Sequence, residues 1–294
     1  SEDMDYKSTN VDLQIFWSSA TDSLSGIQSY EIALGTTKGG DEKINWTNKS
    51  SLESATETSA NFQDINLSDG ITYFASIRAI DKAGNLSAVK TGDGITIDLT
   101  APKAGTVHDG TGADIAYTSA ANTLSGNWTG FSDVTSGITD YQYAIGTTSG
   151  GIDVKGWTSN TTDTSFTLTD YNLTNAQAYY LSVKAIDMVG HVSDTVTSNG
   201  VIADQDAPTK GIVIDGLTVD RAITNTDTIY ASWSGFADTL SGINKYQYAV
   251  GRSIGAYDVV DWTDNGLDTS ITIKPSMDDA NSYYVSVRAV DHVN

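Results

Sequence analysis

Apolar and polar side chains alternate with a period of two residues along most of the chain. The pattern is clearest from position 179 to 185, where the apolar positions are Tyr179, Leu181, Val183 and Ala185. Such alternation is typical of a strand with one buried and one wetter face. β-branched and aromatic residues are frequent, and Gly, Asn, Asp and Ser interrupt the pattern at short intervals. No segment keeps a helical period over ten residues, so the chain is predicted to be all-β.

One unit of roughly 105 residues is written three times. All six tryptophans belong to two repeated sets, Trp17, Trp128 and Trp233, and Trp46, Trp157 and Trp262. Each unit also contains the pattern Asp-x-x-Ser-Gly-Ile and a later strand that ends in Asp. These strands are YFASIRAID, YYLSVKAID and YYVSVRAVD. About seven short strands in each unit predict a two-sheet antiparallel sandwich.

Two of the three prolines mark the predicted boundaries. Pro102 and Pro208 stand in the matching phrases DLTAPKAG and DQDAPTKG. Because proline has no N–H for a central strand ladder, both phrases are predicted to be junctions. The predicted domains are 1–98, 99–204 and 205–294. The first has no junction phrase at its start and the third stops soon after its Asp-ending strand, so both are expected to be truncated units of a longer array.

The repeated unit resembles the fibronectin type III domain and its bacterial relatives in large surface or secreted proteins. An alternating strand ends in Trp, as in Leu13, Ile15 and Trp17, although Gly126 interrupts the alternation in the second unit. A large apolar residue stands six positions before a Tyr, the spacing of a tyrosine corner. The pairs are Leu67 and Tyr73, Leu173 and Tyr179, and Met277 and Tyr283. The resemblance implies three tandem β-sandwiches that serve as spacers, adhesive surfaces or enzyme appendages.

Composition excludes several classes of function. The chain has 37 acidic and 16 basic side chains and a net charge of −21, which argues against nucleic acid and anionic membranes as partners. The absence of cysteine excludes disulfides, thiolate zinc sites and a cysteine nucleophile. No apolar run is long enough for direct membrane insertion. The histidines, His108, His191 and His292, occupy different positions in the repeat, so no catalytic residues and no histidine metal cluster are predicted.

Aspartates at one pole of each sandwich are the candidate metal ligands. At this pole, the loop after the strand that ends in Trp and the loop after the strand that ends in Asp should meet the incoming junction. The predicted groups are Asp98, Asp133 and Asp187; Asp204, Asp206, Asp238 and Asp291; and Asp22 with Asp81. Calcium takes six to eight oxygen ligands, so these groups predict calcium at the joints. The alternative is that each aspartate only caps its own turn.

The second tryptophan set admits two interpretations. Trp46, Trp157 and Trp262 are each followed by Thr and lie among polar residues. An exposed indole could serve as a glycan-binding platform. Alternatively, these rings cover a sheet edge and pack against the core.

The predicted function is that of a non-enzymatic structural or adhesive segment in a long extracellular or cell-surface protein. It acts as a spacer or stalk whose main partners are neighbouring repeats, with calcium stiffening the joints. Two alternatives stay open: a module that binds a cell-surface glycan or protein, and accessory domains of a secreted enzyme.

Overall fold

The computed structural model of the protein describes residues 4–47, 56, 58–216, 227–278 and 281–293. Within these ranges the regular elements are 23 β-strands, so the all-β prediction is confirmed. The described residues form no helix that is long and apolar enough to span a membrane.

The first set of strands forms two sheets. Its strands are β1 (Tyr6–Lys7), β2 (Asp12–Phe16), β3 (Ile27–Gly35), β4 (Ile44–Thr47), β5 (Ser59–Gln63), β6 (Thr72–Asp81), β7 (Lys90–Thr91) and β8 (Ile95–Ile97). One sheet has the order β1-β8-β6-β3-β4, with β7 also on β6, and the other pairs β2 with β5. All pairs are antiparallel except β1 with β8, which are parallel.

The second set repeats this plan and adds a strand. Its strands are β9 (Thr106–Asp109), β10 (Tyr117–Thr118), β11 (Leu124–Thr129), β12 (Ile138–Gly146), β13 (Lys155–Ser159), β14 (Ser165–Leu168), β15 (Ala178–Asp187), β16 (Val196–Thr197) and β17 (Val201–Ala203). The sheets are β10-β17-β15-β12-β13, with β16 on β15, and β14-β11-β9. The parallel pair recurs between β10 and β17.

The third set contains six strands. They are β18 (Ile212–Asp215), β19 (Ile229–Ser234), β20 (Ile243–Gly251), β21 (Val260–Asp264), β22 (Ser270–Ile273) and β23 (Tyr284–Asp291). Two three-stranded sheets result, β18-β19-β22 and β21-β20-β23. The three sets fall within the ranges 1–98, 99–204 and 205–294, and the boundaries themselves stay a prediction.

The cores follow the period of two. In the second unit Trp128 is 1% exposed and packs edge-on against Tyr141, with ring centroids 5.6 Å apart. Trp233 packs in the same way against Tyr246 at 5.8 Å, and Trp17 lies 5.5 Å from Tyr30. The first tryptophan set therefore packs at the cores.

A tyrosine corner closes each unit. The hydroxyl oxygens of Tyr73, Tyr179 and Tyr283 accept backbone N–H groups five residues upstream. The distances are 3.0 Å from Ser68, 2.9 Å from Thr174 and 2.6 Å from Asp278. With the two-sheet topology, these bonds confirm the fibronectin type III-like fold.

Candidate cation sites at the joints between repeats

A tight turn leads into the central strand of each unit, β3, β12 or β20, and one aspartate caps it. Oδ1 of Asp133 accepts backbone N–H groups from Thr135, Ser136 and Gly137 at 3.1, 2.9 and 2.8 Å. Gly137 has a φ of 79°, a conformation that glycine adopts without strain. Asp22 and Asp238 cap the equivalent turns through the same oxygen. The backbone bonds lower the pKa of Asp22.

A second aspartate ends the long strand β6, β15 or β23 and caps the next turn. Asp187 Oδ1 accepts the N–H groups of Val189 and His191 at 3.0 and 2.8 Å. Its Oδ2 lies 3.1 Å from Nδ1 of His191. In the first unit Asp81 Oδ1 caps in the same way and Asn85 Nδ2 donates to Oδ2 at 2.8 Å, a bond that lowers the pKa of Asp81.

A third aspartate arrives with each junction. Asp98 follows β8 and Asp204 follows β17, and both are fully buried. Their backbone N–H groups donate to Lys7 O and Thr118 O, each at 2.9 Å, on the parallel strands β1 and β10. These bonds hold the two carboxylates at the end of one unit, beside the turns of the next.

The structure brings three ligand residues together at each joint. Carboxylate oxygens of Asp204, Asp238 and Asp291 lie within 4.8 Å of one another. At the earlier joint, carboxylate oxygens of Asp98 and Asp187 and a ring nitrogen of His191 lie within the same distance. Oxygens bound to one calcium ion at about 2.3 to 2.6 Å can be separated by up to about 5 Å. Each group therefore has the span of a single cation site.

The second and third units also touch directly. The Ser241 N–H donates to Asp204 Oδ2 at 3.0 Å, and the Ser119 hydroxyl donates to the Val293 carbonyl at 3.1 Å. A cleft of about 310 Å³ opens beside this joint, lined by residues 115–117 with Ser241 and His292. The junction aspartate is thus bonded to the unit that follows it.

The carboxylates at the joints lie close together and carry negative charges that repel one another. Among the described residues, no lysine or arginine forms an ion pair with Asp98, Asp204 or Asp238. Like charges brought together away from water destabilise the folded state unless a counter-charge is present. A divalent cation would supply that charge.

Several oxygens at the joints lack hydrogen-bond partners. Oδ2 of Asp98 and the hydroxyl groups of Ser136 and Ser241 are buried, and no described residue pairs with them. Buried polar atoms are nearly always satisfied by protein, water or an ion. These atoms are therefore available to water or to a ligand between the units.

Other predicted residues lie outside the two three-residue groups. Asp133 caps its turn without joining Asp98 and Asp187 in the group. Asp206 Oδ2 accepts a bond from Asn175 at 2.6 Å. Asp22 and Asp81 are close enough for Asp81 to oppose the lowering of the Asp22 pKa.

Sequence reasoning missed His191, Ser136 and Ser241. The three histidines occupy different positions in the repeat, and that pattern predicts no role for His191. The useful signal was its position four residues after Asp187, where the first unit has Asn85 four residues after Asp81. The serines were visible in the Asp-x-x-Ser-Gly pattern but were assigned no role.

The second tryptophan set lies on three equivalent strands, and both sequence-based interpretations stay predictions. Trp46, Trp157 and Trp262 lie on the strands β4, β13 and β21, and Trp157 is 37% exposed. Each ring carries a cation 4.3 Å from its centroid, supplied by Arg78, Lys184 and Arg288. A cation over an indole face is favourable. The rings are therefore only partly buried, and a basic side chain already occupies one face of each.

The fold and the joints together define an array of fibronectin type III-like sandwiches with acidic contacts between consecutive units. No known family profile matches the chain. A protein named Exoglucanase B from Cellulomonas fimi is 29% identical over 291 residues, or 97% of this chain. The chain spans 23% of that relative's length.

Two solved structures align over nearly the whole chain. The chicken CNTN1 FN1-FN3 domains are 18% identical with a TM-score of 0.36, and the alignment covers 96% of this chain and 90% of that one. Domains A168-A170 of titin are 13% identical with a TM-score of 0.41, and the alignment covers 97% and 94%.

Proposed function

We propose that the chain is a non-catalytic spacer within a secreted or cell-surface multidomain protein, and that bound cations stiffen its joints, with calcium at the joint between the second and third units. Three sandwiches of similar size set a distance, and the joints decide whether the array behaves as a rod or as a flexible string. The high negative charge keeps such an array soluble and self-repelling. In this role the main partners of each unit are its neighbours.

One observation carries the proposal. Asp204 is fully buried, lies within 4.8 Å of Asp238 and Asp291, and bonds to Ser241 of the next unit. Asp238 Oδ1 is used by backbone N–H groups, which leaves Oδ2 for the joint. Turn capping and cation binding are therefore compatible, because they use different oxygens of the same carboxylate.

The relative favours one setting for the spacer. Exoglucanase B is an enzyme by name, and this chain matches about a quarter of its length. We propose that the array belongs to a secreted enzyme or to a surface adhesin, where it separates other domains. Outside the cell, calcium sites as weak as those of extracellular modules, with Kd values of about 10⁻⁴ to 10⁻³ M, can be occupied.

Calcium is expected to stabilise the joint between the second and third units. If calcium is present at about 100 times its Kd, linkage gives about 2.7 kcal/mol, or a rise in Tm of roughly 10 °C for a unit of this size. Thermal unfolding of the full chain with calcium and with chelator measures this shift. Hydrogen exchange at residues 204–206 and 238–242 should slow in parallel.

Matched variants locate the effect. Asp238→Asn keeps an oxygen for the turn and removes the charge, so it should abolish the calcium shift. Asp22→Asn changes the same turn in the first unit and should leave the shift intact. Magnesium and sodium at equal ionic strength report simple screening. An equal response to all cations, or a calcium shift that survives Asp238→Asn, would contradict the proposal.

A glycan-binding role is the second candidate, favoured by the partial exposure of the second tryptophan set. Lys184 covers one face of the Trp157 indole, and the side chain is otherwise partly exposed to solvent. Soluble glucan oligosaccharides should then quench its fluorescence, and Trp157→Ala should remove that quenching. Lys184→Ala tests whether the cation holds the ring in place. Unchanged fluorescence at millimolar oligosaccharide would argue against this role.

A further inference from the structure

The two joints differ in one ligand. The joint at Asp204 offers only carboxylates, whereas the joint at Asp98 also offers the imidazole of His191. We infer that Asp98, Asp187 and His191 form a site for a borderline divalent cation of the zinc class, distinct from the calcium joint. The inference rests on the proposed function, because it assumes that joint carboxylates hold cations.

The imidazole and one carboxylate are already in position. His191 Nδ1 lies 3.1 Å from Asp187 Oδ2. The other oxygen of Asp187 accepts two backbone N–H groups, from Val189 and from His191 itself. Such outer bonds orient a ligating carboxylate. The strand end and the turn therefore present one oxygen and one nitrogen together.

The unpartnered oxygen of Asp98 is the independent observation. Asp98 is fully buried, and its Oδ2 accepts no hydrogen bond from the part of the chain that the structure describes. At the other joint, Asp204 Oδ2 accepts the Ser241 N–H, whereas the equivalent N–H of Ser136 donates to Asp133. The earlier joint thus leaves a buried carboxylate oxygen beside the other two ligands.

The ligand set favours zinc over calcium. Two carboxylate oxygens and one imidazole nitrogen are three ligands of the types that bind Zn²⁺, and a water can complete the tetrahedral set. Calcium takes six to eight oxygens and has little affinity for imidazole. Imidazole suits Zn²⁺, Cu²⁺ and Ni²⁺. The His191 side chain is 26% exposed, so a cation can reach it from solvent.

The first unit supplies a natural comparison. Asn85 occupies the position of His191, and its side-chain NH₂ donates to Asp81 Oδ2 at 2.8 Å. His191→Asn can therefore satisfy Asp187 in the same way without a metal-binding nitrogen. The variant is expected to fold.

The test is calorimetric titration of the full chain with Zn²⁺, together with visible absorption of the Co²⁺ form. Wild type should bind one equivalent of Zn²⁺, and Co²⁺ should show the absorption of a low-coordinate nitrogen-containing site. His191→Asn should weaken Zn²⁺ at least about tenfold and remove the Co²⁺ spectrum. His108→Asn and His292→Asn are the matched controls and should change neither.

The remaining outcomes separate this inference from the proposed function. Unchanged Zn²⁺ affinity in His191→Asn, or loss of the site in a control variant, would overturn the inference while leaving calcium at Asp204 intact. If wild type binds Zn²⁺ at this site but calcium does not raise its Tm, only the proposed calcium stiffening is overturned. Asp98→Asn is the second variant: it should also weaken Zn²⁺, and unchanged binding there would overturn the inference even if His191→Asn did not fold.

Discussion

Gly126→Ile is expected to destabilise the second unit by about 3 kcal/mol, at the upper end of overpacking effects. A Cβ at position 126 would lie 2.3 Å from Leu181 Cδ2 and 2.8 Å from Phe166 Cε1. The branched side chain adds three further carbons to the same space. Hydrogen exchange of peptides from β11 measures the loss in this unit, and peptides from β19 give an internal reference.

The other two units show why glycine is tolerated here. Gly126 pairs with Phe166, whereas the equivalent pair is Ile15 with Ala60 in the first unit and Ala231 with Ile271 in the third. The size of a residue on the neighbouring sheet changes together with the size of the Phe166 position. This residue is Leu181 in the second unit, Ala75 in the first and Val285 in the third. Large and small side chains are exchanged among three positions while the space stays filled.

A compensated variant tests this explanation. Gly126→Ile combined with Phe166→Ala and Leu181→Ala installs the combination found in the first unit and should recover part of the lost stability. Recovery should be incomplete because Phe166 also stacks on Tyr143, with ring centroids 4.3 Å apart. Gly156→Ile is the control, since no atom of the described residues outside its chain neighbours lies within 4 Å of a Cβ at that position. A triple variant no more stable than Gly126→Ile would contradict the compensation.

The fold was predictable from local pattern because sandwich strands carry their burial in a period of two. The repeat also fixed equivalent positions, so Trp128 and Trp233 could be assigned to cores without coordinates. The filling of the Gly126 site was not predictable, since the compensating residues lie 40 and 55 positions further along the chain. Their contact depends on sheet register and on the distance between the sheets.

The joint was predictable in outline and not in detail. Topology brings Asp204, Asp238 and Asp291 to one pole, and the sequence placed all three there. It could not show that capping uses Oδ1 and leaves Oδ2, because both alternatives predict an aspartate at the same position. To predict that His191 joins the group, one must know the geometry of the turn after β15. To predict the cations over the second tryptophan set, one must know the register of the strands in all three units.

Burial of Asp109 is expected to make the second unit more stable in mild acid. Asp109 is 2% exposed at the end of β9, and burial raises its pKa to about 6, with the nearby charge of Asp114 adding to the rise. Bonds from Ser198 and Gly200 oppose the rise without cancelling it. An unfolded chain titrates this group near 3.8. Between these two values the folded state binds more protons than the unfolded state.

The sign follows from linkage: stability should increase as pH falls from about 7 to about 4, and should be insensitive to this group above pH 7. A full rise from 3.8 to about 6 would correspond to roughly 3 kcal/mol, and residual solvation of the carboxylate reduces the expected gain to about 1–3 kcal/mol. Hydrogen exchange of β11 peptides at pH 4.5 and pH 7.5, corrected for intrinsic exchange rates, measures the gain.

Asp109→Asn should remove this pH dependence while keeping an oxygen for the Gly200 N–H. The third unit provides the comparison, because Asp215 occupies the equivalent position opposite Ala231 and is exposed. Hydrogen exchange of β19 peptides should respond to the same change of pH alike in wild type and in Asp109→Asn. If wild type and Asp109→Asn gain equally between pH 7.5 and 4.5, the stabilisation arises from other carboxylates, and burial of Asp109 does not control it.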